Sequence, residues 1–285
     1  MIRADRIPPT LLVLAAVTSV QFGGAFAKTL FDEIGPGGTA FLRVLFAALI
    51  LAALWRPAVR GLSRAEWQLA VAYGFALVAM NLTFYEALDR IPLGIAVTFE
   101  FVGPLGVAIV GSRRPLDLLW VALAATGILL LSDFGGADLD GLGVALALLA
   151  GGFWAAYILL AARVGRTFEG AHGLAIGMCA GALMLLPFGI ADAGGELITG
   201  ETLAIGLAVA VLSSVIPYSL ELEALRRMPA GVFGVLMSLE PAAAALAGFI
   251  VLDEGLATRE VVAIALVVAA SAGAARNASV PPRDA

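Results

Sequence analysis

An all-α integral membrane protein of about ten transmembrane helices, folded as two inverted five-helix repeats, is the fold class that this sequence predicts. Three observations predict it. Of the 285 residues, 61% are hydrophobic and only 14% charged, with a mean hydropathy of +1.00, where a soluble globular chain carries about 25% charge. Apolar runs of about 17 to 25 residues, each long enough for a hydrocarbon core of roughly 30 Å, recur from end to end. One stretch of the first half also returns in the second: Ala87, Leu88, Arg90, Pro92, Gly94 and Pro104 each recur 137 positions later, as Ala224, Leu225, Arg227, Pro229, Gly231 and Pro241. If each copy holds five spans, an odd number, the second enters the membrane inverted, which is a transporter architecture.

The ten runs cover 10–31, 38–55, 67–88, 91–110, 117–132, 141–162, 172–190, 201–220, 230–252 and 258–275, which places the first repeat at 10–133 and the second at 141–275. Charge distribution orients them. With the N-terminus in the cytoplasm, Arg3, Arg6, Arg56, Arg60, Arg64, Arg113, Arg114, Arg163, Arg166, Arg226, Arg227, Arg276 and Arg283 lie inside, 13 of the 17 Lys and Arg. Only Arg90 and Arg259 fall in outer loops, with Asp133, Asp138, Asp140, Asp192, Glu196, Asp253 and Glu254. The positive-inside rule then predicts a multi-pass protein of the cytoplasmic (inner) membrane with both termini cytoplasmic.

The first run carries Arg3, Arg6 and the small residues Ala25-Phe26-Ala27 at its flanks, which imitate a cleavable signal peptide. Gln21 interrupts the apolar core, and removal of the run would leave the two halves unequal, so it is read as a span. Gln21, Ala25 and Lys28 share one helical face, either as a polar stripe lining a cavity, with Lys28 attracting a carboxylate, or with Lys28 snorkelling to the outer interface. In the second run Arg43 lies too deep to snorkel and either pairs with an acid such as Glu86, the favoured reading, or receives substrate. Asn81 and Tyr85 (i, i+4) in the third run and Trp154 and Tyr157 (i, i+3) in the sixth each share a face suited to lining a cavity, the alternative being packing. Trp55, Trp67 and Trp120, near run ends, fit an interfacial belt. Glycines every four residues in "GLAIGMCAG" (173–181) of the seventh run allow close helix approach within the molecule. Cys179 there has no disulfide partner, and His172 lies at a loop edge.

Glu100 in the fourth run and Glu240 in the ninth are the sharpest features, since an acid at mid-membrane costs about 2.5–3.5 kcal/mol even on insertion scales. Each has a proline close after it, Pro104 and Pro241, which removes a helical hydrogen bond and permits a bend. The structural alternative is a protonated glutamic acid bonding the carbonyls that the proline frees. Glu100 lies four residues before its proline and Glu240 one, so the two acids are not equivalent.

The stretches "IPLGIAVTFEFVGPL" (91–105), "SRRP" (112–115), "FWAAYIL" (153–159), "PYSLE" (217–221) and "LMSLEP" (236–241) resemble the drug/metabolite transporter superfamily. Within it they resemble the EamA branch, and there the bacterial threonine and homoserine exporters. The resemblance runs from Gln21 to Glu254 and includes "AKTLF" (27–31), and Glu86 has no evident place in the family pattern. It implies ten helices in two inverted repeats around a central cavity, and export of small neutral amino acids by proton antiport. On that reading Gln21, Lys28, Arg43, Asn81, Tyr85, Trp154 and Tyr157 bind substrate, Glu100 and Glu240 couple protons, and Pro104 and Pro241 supply the bends.

A different metabolite or drug carried by the same fold is the nearest alternative. An intramembrane enzyme is the alternative from another class, and its signatures are missing: the sequence has no H-E-x-x-H, no second histidine, no aspartate-rich metal motif and no G-x-S-x-G elbow. A Walker A pattern is likewise missing, so no ATP-driven pump is expected. The partners expected are therefore the small-molecule substrate, protons and the lipid bilayer, with no cofactor and no metal. The net charge of −5 offers nothing to nucleic acid.

Overall fold

The computed structural model describes residues 7–91, 93–112, 114–131, 140–193, 199–243 and 258–278, apart from the side chains at 25, 26, 28, 29, 31, 32, 93, 94, 260, 277 and 278. Arg3, Arg6, Pro92, Arg113, Asp133, Asp138, Glu196, Asp253, Glu254 and Arg283 lie outside the described residues.

Within them the chain is helical, with no strand. The elements are α1 (Pro9–Trp55), α2 (Arg64–Leu88), α3 (Leu93–Glu100), α4 (Val102–Gly111), α5 (Pro115–Leu131), α6 (Gly141–Thr167), α7 (His172–Ala193), α8 (Gly200–Ala210), a π-helical turn (Val211–Val215), α9 (Ile216–Arg227), α10 (Ala230–Met237) and α11 (Thr258–Ala278). Five stretches are long and apolar enough to cross a membrane: Glu33–Trp55, Arg64–Leu88, Gly141–Thr167, His172–Ala193 and Gly200–Arg227. Shorter apolar helices at Pro9–Gly24, Ile95–Gly111, Pro115–Leu131, Ala230–Ala243 and Val261–Arg276 make up ten.

Three boundaries differ from the hydropathy reading. The first two runs form one kinked helix, α1, which turns at Gly35 with φ 66° and ψ 174°, a conformation open to glycine and costly for other residues. The Asp192 carboxylate accepts the Gly37 N–H at 2.8 Å and so caps the second half of that helix. The fourth run is broken at Phe101. The eighth run extends past Leu220 to Arg227, because Glu223 pairs with Arg226 at 3.0 Å and with Arg227 at 3.1 Å and so offsets the charge that made this segment read as a loop.

The main packing partners come from opposite halves of the chain: α1 with α7, α2 with α6, α5 with α11, and α4 with α10. Glycine makes these crossings close. A Cβ on Gly74 of α2 would stand 2.1 Å from the Gly177 carbonyl oxygen of α7, so the glycine pattern of α7 serves intramolecular packing. A Cβ on Gly103 of α4 would stand 1.9 Å from the Gly151 carbonyl oxygen of α6, whereas Gly106 on the same helix has open space. Gly103→Val is therefore expected to destabilise the fold by about 3 kcal/mol or more, and Gly106→Ala to leave thermal stability in detergent near wild type. Equal melting temperatures for the two variants would refute the close crossing.

Helix ends gather on two sides. At one, Arg227 Nη1 donates to the Ile7 carbonyl at 2.9 Å, Arg226 Nε to that of Gly165 at 2.6 Å, and Trp55 meets His172 edge-on at 5.9 Å. At the other, Asp192 meets Gly37 and Arg90 packs on Gly143. The first side collects Arg56, Arg60, Arg64, Arg114, Arg163, Arg166, Arg226 and Arg227 from the described connections.

Candidate functional site

The polar centre of the bundle is built where three helices lose regular hydrogen bonding, each beside a proline. A proline has no N–H for the carbonyl four residues earlier. Pro104 thus frees the Glu100 carbonyl, Pro241 that of Met237, and Pro217 that of Ser213. The breaks at Phe101 (φ −64°, ψ −12°) and Ser238 (φ −60°, ψ −11°) have nearly the same backbone angles and stand 137 residues apart. Pro217 instead follows the π-helical turn, a geometry that opens carbonyls sideways.

Arg43 occupies that opening. Its Nη2 donates to the freed Ser213 carbonyl at 2.5 Å and to the Tyr218 hydroxyl at 2.9 Å, its Nε to Ser214 Oγ at 2.8 Å, and its Nη1 to the Tyr85 hydroxyl at 3.0 Å. The expected pairing with Glu86 does not form. Glu86 sits one turn from Arg90 on its own helix and pairs with it at 3.1 Å, which is cheaper in side-chain entropy than reaching across helices. The same pair recurs 137 positions later as Glu223 and Arg227, so Glu86 is half of a repeated ion pair.

Asn81 Nδ2 donates to the Tyr218 hydroxyl at 3.0 Å and to the Leu77 carbonyl at 2.7 Å. The bond joins residues 137 apart. Tyr157 is fully buried, lies 5.5 Å from the Tyr218 ring, and donates to the Glu221 carboxylate at 2.7 Å. Trp154 packs edge-on against Phe101 at 4.9 Å, the residue at the break between α3 and α4. Gln21 Nε2 donates to the Glu240 carbonyl at 3.3 Å, and its neighbour Ser19 bonds the Leu212 carbonyl at 2.6 Å, so the first half of α1 braces two of the three breaks. The Lys28 side chain lies outside the described residues.

The structure therefore unites Arg43, Asn81 and Tyr85 in one network, sets Tyr157 one ring away, and places Trp154 and Gln21 at neighbouring breaks. Glu240 is half-buried, while Glu100 and Glu221 are 8% and 2% exposed. Three carboxyls thus lie within apolar helices, a costly arrangement if all are charged, since each ion has lost its water.

Glu221, Tyr218, Ser213, Ser214 and Tyr73 were missed by the sequence reading. The available signal was Pro217, three residues after the Ser213–Ser214 pair, a proline within an apolar run like the two that were noticed.

The chain resembles known transporters along nearly its whole length. The model of the EamA-like transporter family matches residues 141–276. The threonine/homoserine exporter RhtA of Salmonella typhimurium (strain LT2) is 43% identical over 267 residues, covering 93% of this chain and 90% of that protein. The protein of the same name from Escherichia coli (strain K12) is 42% identical over the same shares. A solved crystal structure superposes with a TM-score of 0.77 over 95% of this chain and 97% of that one, at 20% identity, a likeness of fold alone.

Proposed function

Because this chain belongs to the EamA-like transporter family, we propose that it exports a small neutral amino acid, threonine- or homoserine-like, across the cytoplasmic membrane in exchange for protons. The observation that carries this reading is the Arg43 guanidinium, buried among hydroxyls and a backbone carbonyl. A zwitterion leaving water needs a cation for its carboxylate and an acid or carbonyls for its ammonium. Arg43, with Tyr85 and Asn81, serves the carboxylate; Gln21, Trp154 and Tyr157 shape the pocket, and Lys28 draws anions toward it. Glu100 and Glu240 couple protons, and the breaks at Pro104 and Pro241 let the two halves rock.

Two inverted repeats, 10–133 and 141–275, are supported by the matching breaks, the matching ion pairs and the contact between Asn81 and Tyr218, 137 positions apart. The arginine-rich side is the cytoplasmic one, and both termini lie there. Uptake into inverted vesicles, with labelled threonine, homoserine, other amino acids and a drug panel, tests the reading. A pH gradient acid inside the vesicles is expected to drive uptake of threonine or homoserine and to leave charged amino acids outside. Gradient-driven uptake of a drug or an unrelated metabolite alone would overturn the substrate, and gradient-independent uptake the coupling.

A further inference from the structure

Three carbonyls at the end of α6 converge on one side chain. Arg226 of α9 donates from Nε to the Gly165 carbonyl at 2.6 Å and from Nη2 to the carbonyls of Phe168, at 3.0 Å, and Gly170, while its Nη1 pairs with Glu223 at 3.0 Å. The corner is shaped to receive it. A Cβ on Gly165 would stand 2.8 Å from Arg226 Cγ, and Gly170 turns with φ 52° against the Trp55 ring, where a Cβ would stand 2.1 Å from Cζ3. Carbonyls at a helix end have no helical N–H to accept, and a cation there also meets the negative end of the helix dipole. Next to it, Arg227 Nη1 donates at 2.9 Å to the carbonyl of Ile7, just before α1, and Arg227 Nε pairs with the same Glu223 at 3.1 Å. Two adjacent arginines thus tie together the start of α1, the end of α6 and the end of α9, three of the helices that carry the central polar network.

The opposite side of the bundle has the matching crossing without the staple. Arg90 matches Arg227 in the repeat and packs against Gly143 at the start of α6, as Arg227 reaches the start of α1. Among the described residues, however, the Arg90 side chain bonds only to Glu86 and Asp89 beside it in the chain. Asp89 stands where the second copy has Arg226, and a carboxylate has no N–H to offer a carbonyl. Among the described residues that side is held by single bonds, from the Gly37 N–H to Asp192 at 2.8 Å and from Thr202 Oγ1 to Glu33 at 3.4 Å.

From this asymmetry we infer that Arg226, together with Arg227, is the latch that closes the arginine-rich side of the bundle and has to release for substrate to load there. The inference rests on the export reading above, in which substrate enters from that side. Alternating access requires the helices around the site to part at one end while they stay together at the other. Parting α9 from the corner after α6 breaks all three Arg226 carbonyl bonds at once, and each is charge-assisted, so closure is favoured. The Arg226 side chain is 20% exposed, so water replaces the lost bonds and the latch can open and close again.

Ser19 lies about 15 Å along α1 from its start at Pro9 and serves as the reporter. In a Cys179→Ala background, Ser19→Cys is labelled with a membrane-impermeant maleimide in inverted and in right-side-out vesicles, and Arg60→Cys in separate samples marks which vesicles expose the arginine-rich side. Adding Arg226→Gln is expected to raise the labelling rate of Ser19→Cys from that side by about fivefold or more, and not to raise it from the other. Arg226→Lys keeps the charge opposite Glu223 without the planar fork, so it is expected to move the rate in the same direction by less. In counterflow of labelled threonine and homoserine, Arg226→Gln is expected to lower the KM on the arginine-rich side by a similar factor, because apparent affinity rises with the fraction of protein open there. A labelling rate unchanged in both variants, or raised equally from both sides, overturns the latch and leaves Arg226 as a cap on α6. If Arg226→Gln does not fold, Arg226→Lys decides by the same criterion. A wild type that moves neither amino acid overturns the export reading instead, and the labelling result, which needs no substrate, still decides whether the latch exists.

Discussion

Replacing Arg43 by glutamine is expected to abolish transport and to destabilise the fold by about 3–5 kcal/mol, the usual cost of removing one partner from a buried charge cluster. Glutamine is too short to hold the Ser213 carbonyl, the Ser214 and Tyr218 hydroxyls and the Tyr85 hydroxyl together. The Ser213 carbonyl matters most, because Pro217 has already removed its helical donor. Arg43→Lys keeps the charge without the planar fork, so it is expected to retain the fold and still lose about tenfold or more in transport. Thermal unfolding in detergent and counterflow in proteoliposomes measure the two effects. An Arg43→Gln protein with wild-type counterflow would remove the guanidinium from the substrate site.

Glu240→Gln is expected to lower substrate-driven proton flux by about a hundredfold, and Glu100→Gln by less. Both acids sit at mid-span, but their settings differ. Glu240 is half-buried, beside a turn held by Gln21. Glu100 is nearly closed off, and its own carbonyl, freed by Pro104, abuts Gly151, where an added Cβ would approach it to 2.5 Å. An acid that exchanges protons with a cavity must reach it, which favours Glu240. Wild-type flux and pH dependence in both variants would reduce the pair to structural residues. A larger loss in Glu100→Gln than in Glu240→Gln would reverse their order.

The polar network shows how far a linear reading reaches. Arg43, Asn81, Tyr85 and Tyr157 were legible one by one, because a polar or charged group inside an apolar run has no reason to be there unless something satisfies it. Their partners were not. Arg43 bonds to Ser214 across 171 positions and Tyr157 to Glu221 across 64. Hydropathy also ended the eighth span just before Glu221, since it weighs each residue separately and cannot see that Glu223 neutralises Arg226 and Arg227. Glu86 failed for the opposite reason: its partner Arg90 was local, four residues on, and a distant pairing was preferred to it.

By itself the sequence determined the membrane class, the approximate spans, the arginine asymmetry, the 137-residue recurrence and the places where prolines interrupt helices. These follow from properties that each residue carries wherever it is packed: its transfer free energy, its charge, and the presence or absence of an N–H. Only the tertiary structure decided that the helices of one half pair with those of the other, that Asn81 meets its own counterpart Tyr218, and that Arg43 takes the carbonyl that Pro217 frees. The physical reason is that glycine contacts such as Gly74 with Gly177 and Gly103 with Gly151 set how closely helices approach. That spacing, which no local pattern encodes, determines which buried polar groups come within hydrogen-bonding reach.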